Sequence, residues 1–207
     1  MNQGRRAIGR RRRPHAVAGL VMTIAAALLL SACSAQNGSP EDTKSIDCRP
    51  SDALLLAFQA VPSATYVPCL STIPVGWSFG GSQIRSGLIR FWLDSDRAGV
   101  HAVEITLTET CDTAGAVKTS TTTAPQPGIA RYELPLSLPP RFAMDRFDVF
   151  AGGCITYRYA FAAGASSLLV FDADQALSFF DRPRAVRAAK DLLGLTLCGA
   201  EAPPCPG

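Results

Sequence analysis

LIRFWLDSDRAGVHAVEITLTETC, residues 88–111, decides the fold. Within 88–93, Ile89, Phe91 and Leu93 fall on one side of the chain and Leu88, Arg90 and Trp92 on the other. The alternation resumes at 101–111, with His101, Val103, Ile105, Leu107 and Cys111 set against Ala102, Glu104, Thr106 and Thr108. A period of two belongs to a pleated strand with one buried face, because successive side chains point to opposite sides. Asp94-Ser95-Asp96-Arg97-Ala98-Gly99 between the two runs is built from turn formers. Residues 88–111 therefore predict an antiparallel hairpin.

The period of two extends in both directions, starting near Trp77. After a loop at 113–129 rich in Thr, Pro and Gly, residues 131–138 predict a strand with Tyr132, Leu134, Leu136 and Leu138 inward. Pro135 cannot donate to a ladder, so this strand belongs at an edge. Two further strands follow at 147–150 and 155–161, the latter alternating Ile155, Tyr157, Tyr159 and Phe161. The segment LVFDADQALSFF, residues 169–180, reads as a strand running into a turn. Helical signals stand at the two ends of this region. Ser51 can cap a helix through Ala60, with Asp52 at its positive end and Leu54, Leu55, Leu56 and Phe58 wrapping it. Asp181 and Pro183 open a second helix that Gly194 stops. Its apolar arc holds Ala185, Val186, Ala189, Leu192 and Leu193, and Arg184, Arg187, Lys190 and Asp191 lie opposite. The sum is an α+β domain: a mostly antiparallel sheet flanked by an N-terminal and a C-terminal helix, stabilised by disulfides.

Six cysteines lie within this region: Cys48, Cys69, Cys111, Cys154, Cys198 and Cys205. Sequence neighbours are the natural pairs. Cys48–Cys69 would clamp the turn-back after the first helix, and Cys111–Cys154 would join the end of one strand to the start of another. Cys198–Cys205 would close a small C-terminal loop. No C-x-x-C occurs, which removes zinc ribbons and thioredoxin-type chemistry.

A seventh cysteine has a different setting. Arg5, Arg6, Arg10, Arg11, Arg12 and Arg13 precede an uncharged stretch at 16–30, AVAGLVMTIAAALLL. A basic segment followed by a short apolar one is the layout of an export signal. Leu30-Ser31-Ala32-Cys33 then resembles the lipobox of bacterial lipoproteins, and the whole chain resembles uncharacterised lipoproteins of high-GC Gram-positive bacteria. The resemblance implies cleavage before Cys33 and acylation of its thiol, which anchors the chain in the bilayer on the extracytoplasmic side of the cell membrane. It divides the chain into a signal peptide at 1–32, a flexible tether at 33–47 and one extracytoplasmic domain at 48–207. The residues after the arginine pairs fit a twin-arginine signal poorly, and the export route stays open.

Export also changes the charge balance. The full chain of 207 residues carries a net +3, but six of its 20 Lys and Arg precede Cys33 and all 17 acids follow it. The exported part holds 14 bases against 17 acids, a net −3. That sign and that compartment argue against nucleic acid as a partner.

Catalytic motifs are scarce. His101 is the one histidine after the signal; it is a candidate general base, or a half-packed strand residue. S-x-x-K does not occur, and one histidine cannot make H-E-x-x-H. Asp94 and Asp96 begin like a calcium loop, but Ala98 stands where the pattern needs an acid or amide. Asp172 and Asp174 repeat the spacing. No cofactor or metal is indicated. Arg90 and Trp92 side by side on the polar strand face are candidates for contact with a partner, unless a helix covers them. These features favour a binding or accessory module acting on an envelope protein or polymer. The alternatives are an envelope hydrolase with an unrecognised site around His101, and a small solute receptor.

Overall fold

A computed structural model describes residues 45–119, 126–200 and 204–205. The signal segment, Cys33, most of the tether and residues 120–123 of the Thr-rich loop lie outside the described residues. In chain order the elements are α1 (Asp52–Ala60), β1 (Tyr66–Leu70), β2 (Trp77–Arg85), β3 (Leu88–Ser95), β4 (Gly99–Thr108), β5 (Val117–Lys118), β6 (Ala130–Ser137), β7 (Ala143–Phe150), β8 (Gly153–Ala160), α2 (Leu169–Ala176), β9 (Leu177–Asp181) and α3 (Arg182–Leu193).

Half-buried alternation produces one seven-stranded antiparallel sheet, ordered β2-β3-β4-β8-β7-β6-β5. The hairpin at 88–111 sets its register, pairing Ile89 with Leu107, Phe91 with Ile105 and Leu93 with Val103. All six side chains are completely buried. The β7–β8 turn is fixed by a glycine: Gly152 has φ +70, and a Cβ there would stand 1.9 Å from the carbonyl oxygen of Ser63. No other residue fits that approach.

A second layer covers part of the inner face. β1 and β9 form a separate antiparallel pair, with Val67 opposite Phe180. α1 packs on β2, β3 and α3, and β1 on β4. Ser51 caps α1 by accepting from the amide of Leu54, and Asp181 caps α3 by accepting from that of Arg184. The disulfides are Cys48–Cys69, Cys111–Cys154 and Cys198–Cys205, with Cα separations of 5.0, 5.8 and 4.7 Å.

Several details depart from the sequence reading. Residues 169–180 form helix α2 followed by strand β9, because Leu169, Val170, Ala173 and Ala176 are buried at helical spacing. β1 was hidden by Pro68, which a strand with one long partner tolerates. In β6 the inward face is reversed: Arg131 and Glu133 lie on the core side, opposite Asp148 and Arg146. Leu136 and Leu138 are exposed, beyond a register shift between Pro135 and Ser137. Leu56 is exposed on α1, as are Leu192 and Leu193 on α3, whereas Arg182 is enclosed completely. The domain also begins earlier than Cys48: Ile46 is fully buried, and Asp47 bridges to Leu70.

Candidate functional site

Along the inner face of the sheet, side chains change character between β4 and β6. One row runs Phe91, Ile105, Tyr157, Arg146, Glu133. The next runs Ile89, Leu107, Ile155, Asp148, Arg131. α1 and β1 cover the apolar end, whereas α2 reaches the charged end through Asp174. Between them lies a cavity of about 360 Å³. Its polar wall is Arg131, Glu133, Arg146, Tyr157 and Asp174; its apolar wall is Phe171, Leu177 and Phe179.

Both arginines are pinned. Arg131 donates Nε to Asp148 Oδ1 at 2.7 Å and Nη2 to Oδ2 at 2.8 Å, a bidentate pair with a fully buried carboxylate. Arg146 donates Nε to Glu133 Oε1 at 3.2 Å and Nη1 to both Asp174 oxygens, at 2.8 and 2.7 Å. The Tyr159 hydroxyl accepts from Arg146 Nη1 at 3.0 Å and donates to Asp174 Oδ1 at 2.7 Å. Burial works against both guanidinium charges. Asp148 beside Arg131, and Tyr159, Asp174 and Glu133 beside Arg146, outweigh it and hold both pKa values above the ordinary arginine range. Burial first, then Asp148, pushes Tyr157 well up; burial and then Asp174 do the same to Tyr159. Both phenols keep their protons at physiological pH and remain donors.

Some hydrogen-bonding capacity at the cavity is unmatched. Tyr157 is 3 % exposed, yet its hydroxyl bonds to no protein group. Among the described residues, Trp77 Nε1 is the one partnerless side-chain nitrogen or oxygen that is wholly enclosed, so the Tyr157 hydroxyl opens onto the cavity. Nη1 of Arg131, Nη2 of Arg146 and Oε2 of Glu133 likewise have no protein partner. The wall offers fixed donors and one fixed acceptor. Both cavity carboxylates accept from the same guanidinium, an arrangement suited to holding a ligand.

The residues singled out by sequence lie elsewhere. Cys33 is outside the described residues, and the six other cysteines form the disulfides above. Arg90 and Trp92 stand on the outer face of the sheet, opposite Thr106 and Glu104. Trp92 is half-buried; it donates Nε1 to Glu104 Oε2 at 3.0 Å and stacks on His101 with ring centroids 5.2 Å apart. Arg90 lies 3.6 Å from Glu104. His101 does not share a face with Val103. A register shift after Leu93 and a φ of 50 at His101 turn the exposed imidazole toward Trp92, and its amide donates to Asp94 Oδ1 at 2.6 Å. It takes no part in the cavity. Of the two aspartates noted in 169–180, Asp174 does enter the site, and Asp172 pairs with Arg97 at 2.7 Å. Sequence reading missed Arg131, Glu133, Arg146 and Tyr157. The signal was there in part: charges alternating through 145–148 inside a strand flanked by buried aromatics.

The chain matches no protein-family model, no curated protein and no solved structure.

Proposed function

We propose that this chain is an exported, lipid-anchored binding module of the cell envelope, held in the membrane by Cys33 and working through the cavity between β6–β8 and α2–β9. The likeness of Leu30-Ser31-Ala32-Cys33 to a lipobox supports the address. One observation carries the binding reading: the Tyr157 hydroxyl, almost enclosed and without a protein partner, facing a cavity beside two clamped arginines. A hydroxyl that no protein group holds and that opens onto a cavity is available to both donate to and accept from a ligand. The volume falls in the roughly 300–1,000 Å³ range of small-molecule sites.

Full-length protein in a polyoxyethylene detergent should melt about 2–4 °C higher with a low-molecular-weight extract of the producing cells' envelope. Tyr157→Phe should abolish that rise and leave the melting temperature without extract unchanged, since its hydroxyl holds nothing in the protein. Trp92→Ala with Arg90→Glu, on the opposite face, should keep the rise. Identical melting of the wild type with and without extract would refute the binding module.

A further inference from the structure

We infer that the cavity takes a neutral polyhydroxylated ring, a sugar residue, either free or at the end of a longer glycan. This rests on the cavity being a binding site and names what it binds.

Charge narrows the choice first. The two arginines are matched by Asp148, Glu133 and Asp174, an excess of one negative charge. A carboxylate or phosphate would meet no unneutralised cation there. A cationic ligand would compete with Arg146, which already holds both cavity carboxylates at 3.2 and 2.7 Å. What the wall leaves open is hydrogen bonding of both kinds. Nη1 of Arg131 and Nη2 of Arg146 can only donate, Oε2 of Glu133 accepts, and the Tyr157 hydroxyl does either. Hydroxyl groups answer all four, because each can accept from a guanidinium and donate to a carboxylate or phenol. Adjacent hydroxyls on a ring also present two oxygens together to a planar donor.

The opposite wall supplies what a simple polyol would not use. Phe171, Leu177 and Phe179 form an apolar side to the same cavity. A sugar ring has one such side, its axial C–H face, which packs on aromatic rings while the hydroxyls point outward to polar partners. Phe171 is 66 % exposed although it lines the cavity, which puts it at the mouth. From there a second ring of a glycan would continue into solvent. The volume of about 360 Å³ suits one ring rather than a chain of them.

The test is isothermal titration of the full-length protein in a polyoxyethylene detergent, which carries no sugar. The probes are the methyl glycosides of glucose, galactose, mannose and arabinose, with sodium acetate and leucine as anionic and zwitterionic counterparts. At least one glycoside should bind with a Kd of about 0.1–1 mM. Tyr157→Phe should weaken it about tenfold or more, and Phe171→Ala, at an exposed position, several-fold, both with unchanged melting temperature. A trisaccharide of the bound sugar binding more tightly than the monosaccharide identifies a glycan end; equal or weaker binding identifies a free sugar. Both support the sugar site. Binding of acetate or leucine without any glycoside overturns it, as does glycoside binding unaffected by both substitutions. If no glycoside binds while the envelope extract still raises the melting temperature, the sugar is wrong and the binding module stands. If the extract is also without effect, both fall.

Discussion

Arg182 is enclosed completely, and its guanidinium reaches four backbone carbonyls. Nε donates to Ala64 at 2.7 Å, Nη1 to Cys198 at 3.0 Å, and Nη2 to Phe58 at 2.9 Å and Val61 at 3.1 Å. Phe58 lies in the last turn of α1 and Val61 is its C-cap, where carbonyls lack helical partners and the dipole favours a cation. The same side chain lies over the Phe58 ring at 5.1 Å. One residue thus joins the first helix, the loop after it and the C-terminal tail to the start of α3. Arg182→Met keeps the bulk and removes the donors, and should cost about 3–5 kcal/mol in urea unfolding. A loss under about 1 kcal/mol would show that those carbonyls find other partners. Neither Arg182 nor the cavity residues were legible as such. Asp181 and Pro183 announce a helix start, and an arginine between them looks like one more solvated charge. Arg131 and Glu133 were hidden by parity. Tyr132 and Leu134 claim the buried face on hydrophobicity alone, and only the pairing of Arg131 with a buried Asp148 reverses it. Tyr157 stands in the alternation of 155–161, but the freedom of its hydroxyl depends on neighbours from β6, β7, α2 and β9 that no local pattern brings together.

At the scale of elements, the central hairpin was readable because Ile89, Phe91 and Leu93, then Val103, Ile105 and Leu107, repeat at a period of two, and Asp94, Ser95, Asp96 and Arg97 mark the turn between. The α2–β9 segment was not, because LVFDADQALSFF is apolar at both spacings and only burial of Ala173 and Ala176 against exposed Phe171 settles it as a helix. Cys111–Cys154 shows a long-range link that strand order made visible. It joins the segment just after β4 to the start of β8, neighbours in the sheet where Thr108 pairs with Cys154. The two cysteines are 43 positions apart, and the Thr-rich loop and strands β5 to β7 all lie between them. On a chain-entropy account, closing such a loop contributes roughly 4 kcal/mol by restricting the unfolded chain. The double variant Cys111→Ala with Cys154→Ala should lower the urea unfolding free energy by about that amount, while far-ultraviolet dichroism stays native because the ladder itself remains. A loss well under 1 kcal/mol would mean that the strand ladder alone already fixes this neighbourhood. A free thiol at Cys111 or Cys154 in non-reducing peptide maps would contradict the bridge outright.

For the whole molecule, the decisive question is where the domain is held. Among the described residues no helix is long and apolar enough to cross a membrane. Attachment through Cys33 would confine the domain closely, because fully buried Ile46 follows only 13 positions later. Even a fully extended chain of that length reaches at most about 45 Å. A cavity kept so near the bilayer would meet ligands of the envelope at high local concentration, so a millimolar affinity would suffice. Such an anchor would be strong on physical grounds: each buried methylene contributes roughly 0.8 kcal/mol, and two or three acyl chains would outlast thermal release. In cells fed an alkynyl palmitate, the wild-type protein should take up the label and enter the detergent-rich phase on temperature-induced separation. Its intact mass should correspond to a chain beginning at Cys33 with acyl groups added. Cys33→Ser should lose the label. It should then either partition to the aqueous phase or persist at the mass of the uncut precursor, whose residues 16–30 still provide an apolar segment. Intact mass separates these two results, and both fit acylation at Cys33. Label retained by Cys33→Ser, or a wild-type protein free of acyl mass, would end the lipoprotein reading and leave the cavity as a site without a membrane address.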